Sequence, residues 1–352
     1  MIESAHGSTR PATIEDVAAG AHVSVATVSR AVRGLPNVAP STRQRVCEVA
    51  AALNYRADPA AARLAAGRTR TVTVVVPHLA GWYFSTVIAG AEAVCADSGY
   101  DCLVITVGST EDSDRVVDEA YHLERRTDGC ILVNVPIDEA RATSLSERGV
   151  AVSTVGARVA GHPNVTIDDT AAARMAVEHL VALGHRRIGM ISGQGDDPMN
   201  FEVPRLRRRG FIDALAASGL DFDETLVESG NFGIDGGREA TAVLLDRPSP
   251  PTAVFAMSDE MAFGALMTLN DRGLTPGVDV SLVGIDDHDV SRVVGLTTVR
   301  QHVADQGATA ARALLSELER RDDGTPADAV VAPIELVVRS TTGAPTSTPE
   351  SC

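Results

Sequence analysis

Residues 13–34 read TIEDVAAGAHVSVATVSRAVRG and carry two closely spaced helix starts. Thr13 can cap the first helix, with Asp16 at its third position able to bond back. Val17, Ala18 and Ala21 then fall on one face. Ser24 can cap the second helix, and Val28 and Val32 share a face that fits against the first. Only Ala21 to Val23 remain for the turn, so the spacing predicts a helix-turn-helix. The outward face of the second helix carries Val25, Ala26, Ser29, Arg30 and Arg33. Small residues at its start let the backbone enter a major groove, and the Arg30 fork can reach O6 and N7 of a guanine. Thr27 and Ser29 suit phosphates.

The charge pattern around this stretch agrees. The chain of 352 residues has a formal net charge of -16, yet residues 1–70 hold nine Arg against five acids. A basic head on an acidic body predicts that the head meets a polyanion and the body does not. The length predicts two or three folding units. Every basic residue other than histidine is Arg. Without Lys, a Walker A lysine, a pyridoxal Schiff base and a catalytic lysine are excluded. The cysteines Cys47, Cys95, Cys102, Cys130 and Cys352 are scattered and read as reduced thiols. A polar N-terminus and the lack of a ~20-residue apolar run predict a cytoplasmic protein with no signal peptide and no membrane span.

After the hairpin, STRQRVCEVAAALNY (41–55) reads as an amphipathic third helix, with Ser41 and Gln44 placed as a capping box. ADPAAARLAAGRTRT (57–71) follows. Asp58 can cap, Pro59 suits a first turn and Gly67 a stop. This short alanine-rich helix, with Leu64 as its one large apolar residue, needs a partner to form.

In this order, helix-turn-helix, third helix, the Asn54-Tyr55 pair and GRTRTVTVVVP (67–77) resemble the lac repressor (LacI/GalR) family of bacterial transcription regulators. The resemblance implies that Val25, Ala26 and Arg30 read bases. Ser24, Thr27, Ser29, Arg33 and Asn37 complete the candidate DNA contacts. Leu64 matches the leucine that paired hinge helices push into the minor groove. Three positions depart from the family pattern. His22 stands in place of the turn glycine, the hinge proline is displaced with Ala57 at its usual place, and Ala62 replaces a polar residue.

From Thr71 onward the pattern changes. TVTVVVP, DCLVITVG, GCILVNVP and VAVSTVG are buried-strand runs separated by helical segments near 84–98, 113–126 and 138–148. A second series, NVTID, RRIGMISG, ETLVESG, TAVFAMSD and DVSLVGID, alternates with helices near 170–183, 205–218, 235–246 and 259–272. The alternation predicts an α/β body of two doubly wound, parallel lobes. LTTVRQ, a helix near 303–321 and VVAPIELVVR should cross back to complete both. The arrangement resembles the type I periplasmic-binding-protein fold. The expected domains are a head (1–56), a hinge helix and linker (57–71), a two-lobed ligand-binding and dimerisation domain (72–339) and a disordered polar tail (340–352).

Ligands in such sheets lie beyond the carboxyl ends of the strands, here between the lobes. Trp82, the chain's one tryptophan, stands beside Tyr83 and Phe84 in the loop after the first strand. The family's usual NPFF-like run, whose neighbourhood contacts ligand, is GWYF here. The family spacing to Gly210 points to Arg205 as ligand-binding arginine, with Arg207, Arg208 and Arg209 as a solvated face. Phe232 matches an aromatic platform, Asp286 the ligand carboxylate, and Asp259 stands at another strand end. A carboxylate accepting from two hydroxyls, an Arg fork and aromatic faces suit a sugar.

GxSxG, HExxH and Walker A motifs are absent from the sequence, so no catalytic residue, cofactor or metal is expected. A solute-binding transport protein would share the lobes but lack the basic head. The sequence therefore predicts a homodimer, or a tetramer, that binds pseudo-palindromic operator DNA as a repressor. A mono- or oligosaccharide, inducer or co-repressor, would control it.

Overall fold

The computed structural model describes residues 12–32, 34–55, 68–117, 123–193, 202–320 and 329–346. The chain divides into two compact units, residues 1–70 and 71–352.

In the first unit, α1 (Ile14–Ala21), α2 (Val25–Val32) and α3 (Pro40–Ala52) surround a small core. Val17, Ala18 and Ala21 of α1 meet Val28 and Ala31 of α2 and Val46 and Ala50 of α3. Val32, expected on the inner face, is exposed, and Ala31 packs instead. Thr13 and Asp16 form the expected reciprocal cap. Ser24 caps α2, its Oγ accepting from the Thr27 N–H at 3.2 Å. His22 takes the left-handed conformation (φ 52°, ψ 47°) that a turn glycine would supply, one that His tolerates better than most residues. The Ser41–Gln44 box does not form. The helix begins one residue earlier, with Pro40 in its first turn and no side-chain cap, and Gln44 donates to Glu48. Proline there costs nothing because its missing N–H would have had no helical partner.

The second unit holds two six-stranded sheets. Sheet one has the order β11-β5-β4-β3-β1-β2, from β1 (Thr71–Val76), β2 (Asp101–Thr106), β3 (Gly129–Val133), β4 (Ala151–Val155), β5 (Asn164–Thr166) and β11 (Ala329–Val331). Sheet two has the order β12-β10-β9-β8-β6-β7, from β6 (Ile188–Ser192), β7 (Val227–Ser229), β8 (Ala253–Ala256), β9 (Ser281–Asp286), β10 (Thr297–Arg300) and β12 (Glu335–Val337). Pairing is parallel except for β12 on β10. Continuous apolar runs such as VVV (74–76) and CILV (130–133) make the central strands buried on both faces, as helix-covered parallel sheets require.

The helices fall close to the predicted segments. Lobe one carries α4 (Trp82–Asp97), α5 (Thr110–Val117) and α6 (Glu139–Glu147). Lobe two carries α7 (Asp169–Ala182), α8 (Glu202–Ala217), α9 (Ile234–Leu245), α10 (Asp259–Asp271) and the single turn α11 (Ser291–Val294). The long α12 (Val303–Arg320) returns to lobe one and packs on α4. Glycine makes that approach possible: a Cβ on Gly90 would sit 1.9 Å from the Ala304 carbonyl oxygen.

The expected assignment of NVTID to the second lobe is corrected. Val165 and Thr166 pair with Val330 and Val331 in sheet one, and the chain crosses only afterwards. The chain therefore passes between lobes three times, after β5, after β10 and between β11 and β12. The expected disordered tail is also shorter than 340–352. Thr341 exchanges main-chain and side-chain bonds with Leu282, and Gly343 bonds Ser281 and His185. Residues 340–346 are thus part of lobe two, and 347–352 lie outside the described residues.

Candidate functional site

Two surfaces gather the predicted residues. On the first unit, the buried side of α2 is fixed by Val28 and Ala31, which turns Ser24, Val25, Ala26 and Arg30 outward, all exposed. Thr27 and Ser29 are half-buried at its margins, and the Thr27 hydroxyl lies 2.9 Å from Ser24 Oγ. Arg43 of α3 donates to the carbonyls of Ala31 and Leu35, which secures the end of α2. Asn37 is exposed in the following loop with φ 67°. Arg33 and Leu64 lie outside the described residues. The result is an eight-residue helix presenting small side chains and one long cation, the shape and charge that a major groove accepts.

On the second unit, the carboxyl ends of both sheets face a cavity of about 100 Å³. At ~10–15 Å³ per water-sized occupant, that is room for a small polar molecule. Lobe one contributes His78, Gly81, Tyr83, Phe84 and Asn134. Lobe two contributes Asp169, Arg207, Phe232, Ser258, Glu260 and Asp286, and Gln301 and Gln306 lie where the chain crosses.

Asp286 ends β9 with φ 138°, a backbone region that side chains rarely adopt, and is buried. Its carboxylate accepts from Gln301 Nε2 at 2.6 Å and from the Asp259 N–H at 3.3 Å. Burial, and then the neighbouring Asp259 carboxylate, raise its pKa above the usual range. Gln306 of α12 donates in turn to the Gln301 side chain at 3.1 Å. A line of polar side chains thus runs from lobe two into lobe one.

The arginine of the cleft is Arg207. It is buried, its Nε donates to Asp169 at 2.8 Å, and a second nitrogen donates to the Met257 carbonyl. Burial works against its charge, but Asp169 and Asp286 more than offset that. Arg205, the expected ligand arginine, points to solvent and pairs with Glu202. The physical reason is helical phase. Arg207 shares the buried face of α8 with Gly210, Phe211 and Ala214, and Arg205 lies on the other side.

Asp259 is also corrected. It is fully buried and does not line the cavity. It accepts from Thr298 Oγ1 at 2.6 Å, Ser291 Oγ at 2.6 Å and the His288 N–H at 2.9 Å. Its oxygens are therefore committed to joining α10, α11 and β10. The strand beneath must lack a side chain, because a Cβ on Gly284 would meet Asp259 Oδ1 at 2.2 Å.

Among the aromatics, Tyr83, Phe84 and Phe232 line the cavity and Trp82 does not. Burial, and then Asp169, raise the Tyr83 pKa, so its phenol stays a donor. Phe84 also packs into the lobe-one core. Asn134, Gln301 and Gln306 escaped the sequence reading because isolated amides, two in loops and Gln306 on α12, carry no pattern. The one available sign was an Asn directly after a buried strand run, a residue that tolerates the left-handed conformation Asn134 adopts (φ 49°). Among the described residues no three side chains could hold a metal, and no helix is long and apolar enough to cross a membrane.

Residues 13–58 match the family model "Bacterial regulatory proteins, lacI family", and residues 177–342 match "Periplasmic binding protein-like domain". Catabolite control protein A of Priestia megaterium is 34% identical over 317 residues, which span 88% of this chain and 93% of that protein. The HTH-type transcriptional regulator CelR of Thermobifida fusca is 34% identical over 321 residues, 88% of this chain and 92% of that protein. A lac repressor dimer bound to operator and the anti-inducer ONPF superposes with a TM-score of 0.81 at 29% identity, over 95% of this chain and 100% of that chain. A CelR–cellobiose complex does so at 0.67 and 31% identity, over 94% and 99%. With a regulator's head, a binding-protein-like body and relatives 34% identical over 88% of its length, the chain belongs to the LacI family of bacterial regulatory proteins, and it is a DNA-binding transcriptional regulator rather than an enzyme.

Proposed function

We propose that this regulator is a homodimeric, cytoplasmic repressor whose hold on a pseudo-palindromic operator is released by an uncharged sugar bound between the lobes of the body. The observation that carries the reading is the pairing of a buried carboxylate, Asp286, with a buried guanidinium, Arg207, across one cavity floored by aromatic rings. Asp286 accepts from two sugar hydroxyls, Arg207 and the Asn134 amide donate to hydroxyl or ring oxygens, and Phe84, Tyr83 and Phe232 cover the apolar faces. Asp169 already neutralises Arg207, so this guanidinium favours an uncharged ligand over a phosphate. The cellobiose complex of CelR is consistent with this ligand class.

The operator contacts follow from the head: Val25, Ala26 and Arg30 on bases, and Ser24, Thr27, Ser29, Arg33 and Asn37 at the margins. The resemblance assigns the hinge to residues 57–71 and the minor-groove wedge to Leu64, which lies outside the described residues. Two-fold operators require a dimer. Exposed Ile234, Met267, Val290, Val293 and Val294 on lobe two supply an apolar surface for a second copy.

A thermal-shift screen with mono- and disaccharides, followed by operator release measured by fluorescence anisotropy, tests the reading. A sugar that raises the melting temperature and lowers operator affinity supports it. If nucleosides or sugar phosphates do so and neutral sugars do not, the ligand class is wrong.

A further inference from the structure

Trp82 departs from the family-like run at the head of α4, and it does not line the cavity. Its indole leaves lobe one and lies against the imidazole of His288 on lobe two, with ring centroids 4.6 Å apart and planes 30° from parallel. Its Nε1–H donates to Asp289 Oδ2 at 3.5 Å, and its main-chain N–H donates to the Glu260 carboxylate. None of these residues belongs to the three chain crossings.

The receiving ring is held on several sides. His288 Nδ1 accepts the Val290 N–H at 3.0 Å, which leaves the ring proton on Nε2. The His288 main-chain N–H is anchored on Asp259. Phe263 of α10 meets the imidazole edge-to-face, with centroids 5.1 Å apart. A half-buried indole set on a braced platform, bridging the two lobes at a point outside the three chain crossings, is placed to govern their separation.

We propose that Trp82 is an interlobe latch: docked on His288, it favours the closed cleft, and the indole must leave the imidazole for the cleft to open. The inference does not depend on which ligand the cleft takes. Its consequence for binding is energetic. If only the open fraction admits effector, the apparent affinity is reduced by that fraction, and loss of the latch removes the reduction.

The chain contains a single Trp and four Tyr, so emission of the full-length protein excited at the red edge, where tyrosine does not absorb, reports on this indole alone. Three proteins are compared without ligand: wild type, His288→Asn and His288→Phe. Asn keeps an acceptor for the Val290 N–H but removes the ring, whereas Phe keeps the ring and removes the acceptor. The latch requires acrylamide to quench His288→Asn several-fold more steeply than wild type, with His288→Phe close to wild type. Small-angle scattering should give a larger radius of gyration for His288→Asn than for the other two. A purely local role for His288 gives the reverse order, with Asn tolerated and Phe disruptive. That order, or a wild-type indole as accessible as free N-acetyltryptophanamide, or equal radii, overturns the proposal. Trp82→Ala, which removes the indole ring, serves as a second opening variant, read by scattering alone.

Discussion

Arg207 and Asp169 form a fully buried ion pair, Nε to Oδ1 at 2.8 Å, in the wall of the interlobe cleft. One partner comes from α8 and the other from the start of α7, so the pair fixes the relation of two neighbouring helices as well as the chemistry of the cavity. A pair withdrawn from water is worth little against an apolar substitute, but breaking it strands the remaining charge.

Arg207→Ala is therefore expected to cost about 3–5 kcal/mol of stability and to abolish the effector response. Arg205→Ala, which removes an exposed i,i+3 pair, should change stability by ~1 kcal/mol or less and leave the response intact. Urea denaturation and anisotropy titration of both variants check this. An equal loss of response in the two would mean that α8 acts as a whole.

Asp259→Ala removes the acceptor of three donors, two buried and one part-buried. At ~1–3 kcal/mol for each stranded donor, a loss of about 3 kcal/mol or more is expected in calorimetry, with or without sugar. A variant of wild-type stability that fails only in effector binding would return Asp259 to the ligand site.

The adjacent Asp286 and Asp287 should respond to pH in opposite directions. For Asp286, burial and then Asp259 raise the folded pKa. Its favourable contribution is thus present below the ordinary carboxylate range and lost as pH rises toward the raised value. For Asp287, burial acts upward, but the Arg339 and Arg300 side chains that bond its carboxylate outweigh it and lower the pKa. That contribution is present above the ordinary range and lost as pH falls through the lowered value. Asp286→Asn should therefore match or exceed wild-type melting temperature at pH 8 and lose that advantage near pH 4. Asp287→Asn should be less stable by ~1–2 kcal/mol at pH 7 and converge with wild type in acid. Melting curves across this range decide; parallel curves would refute both assignments.

Arg30→Ala should lose roughly 1–3 kcal/mol per half-site and relax the preference at one guanine position. Gel shifts across operator variants measure both effects. Unchanged affinity and preference would remove Arg30 from base reading.

Much of this architecture was legible in advance because caps and periods are local. Thr13, Ser24 and the alternation of VVV-type runs with helical segments placed most elements within a few residues. Questions of phase and partnership were less accessible. Four arginines between 205 and 209 look alike in sequence, and only the buried Gly210, Phe211 and Ala214 on the same face identify Arg207 as the inward one. Asp259 and Asp286 both follow buried strands, yet the donors that occupy Asp259 come from residues 288–298, which no local pattern ties to it. The polar composition of 340–346 suggested disorder, but Thr341 and Gly343 bond main-chain and hydroxyl groups of β9. The three-residue β5 was misassigned because so short a run carries too little pattern to reveal either of its partners, the nearby β4 or the distant β11.

The three crossings bear on how the protein is made. Lobe one begins at β1, directly after the head, yet α12 and β11 complete it only at residues 303–331, and lobe two waits for β12 and the strap at 340–346. On the ribosome, neither sheet can close until nearly the whole chain has emerged. The head, finished within its first 70 residues, can fold at once. A chain stalled anywhere in the body therefore presents a folded DNA-binding unit attached to sheets with bare edges, a species suited to chaperone capture or degradation rather than to repression.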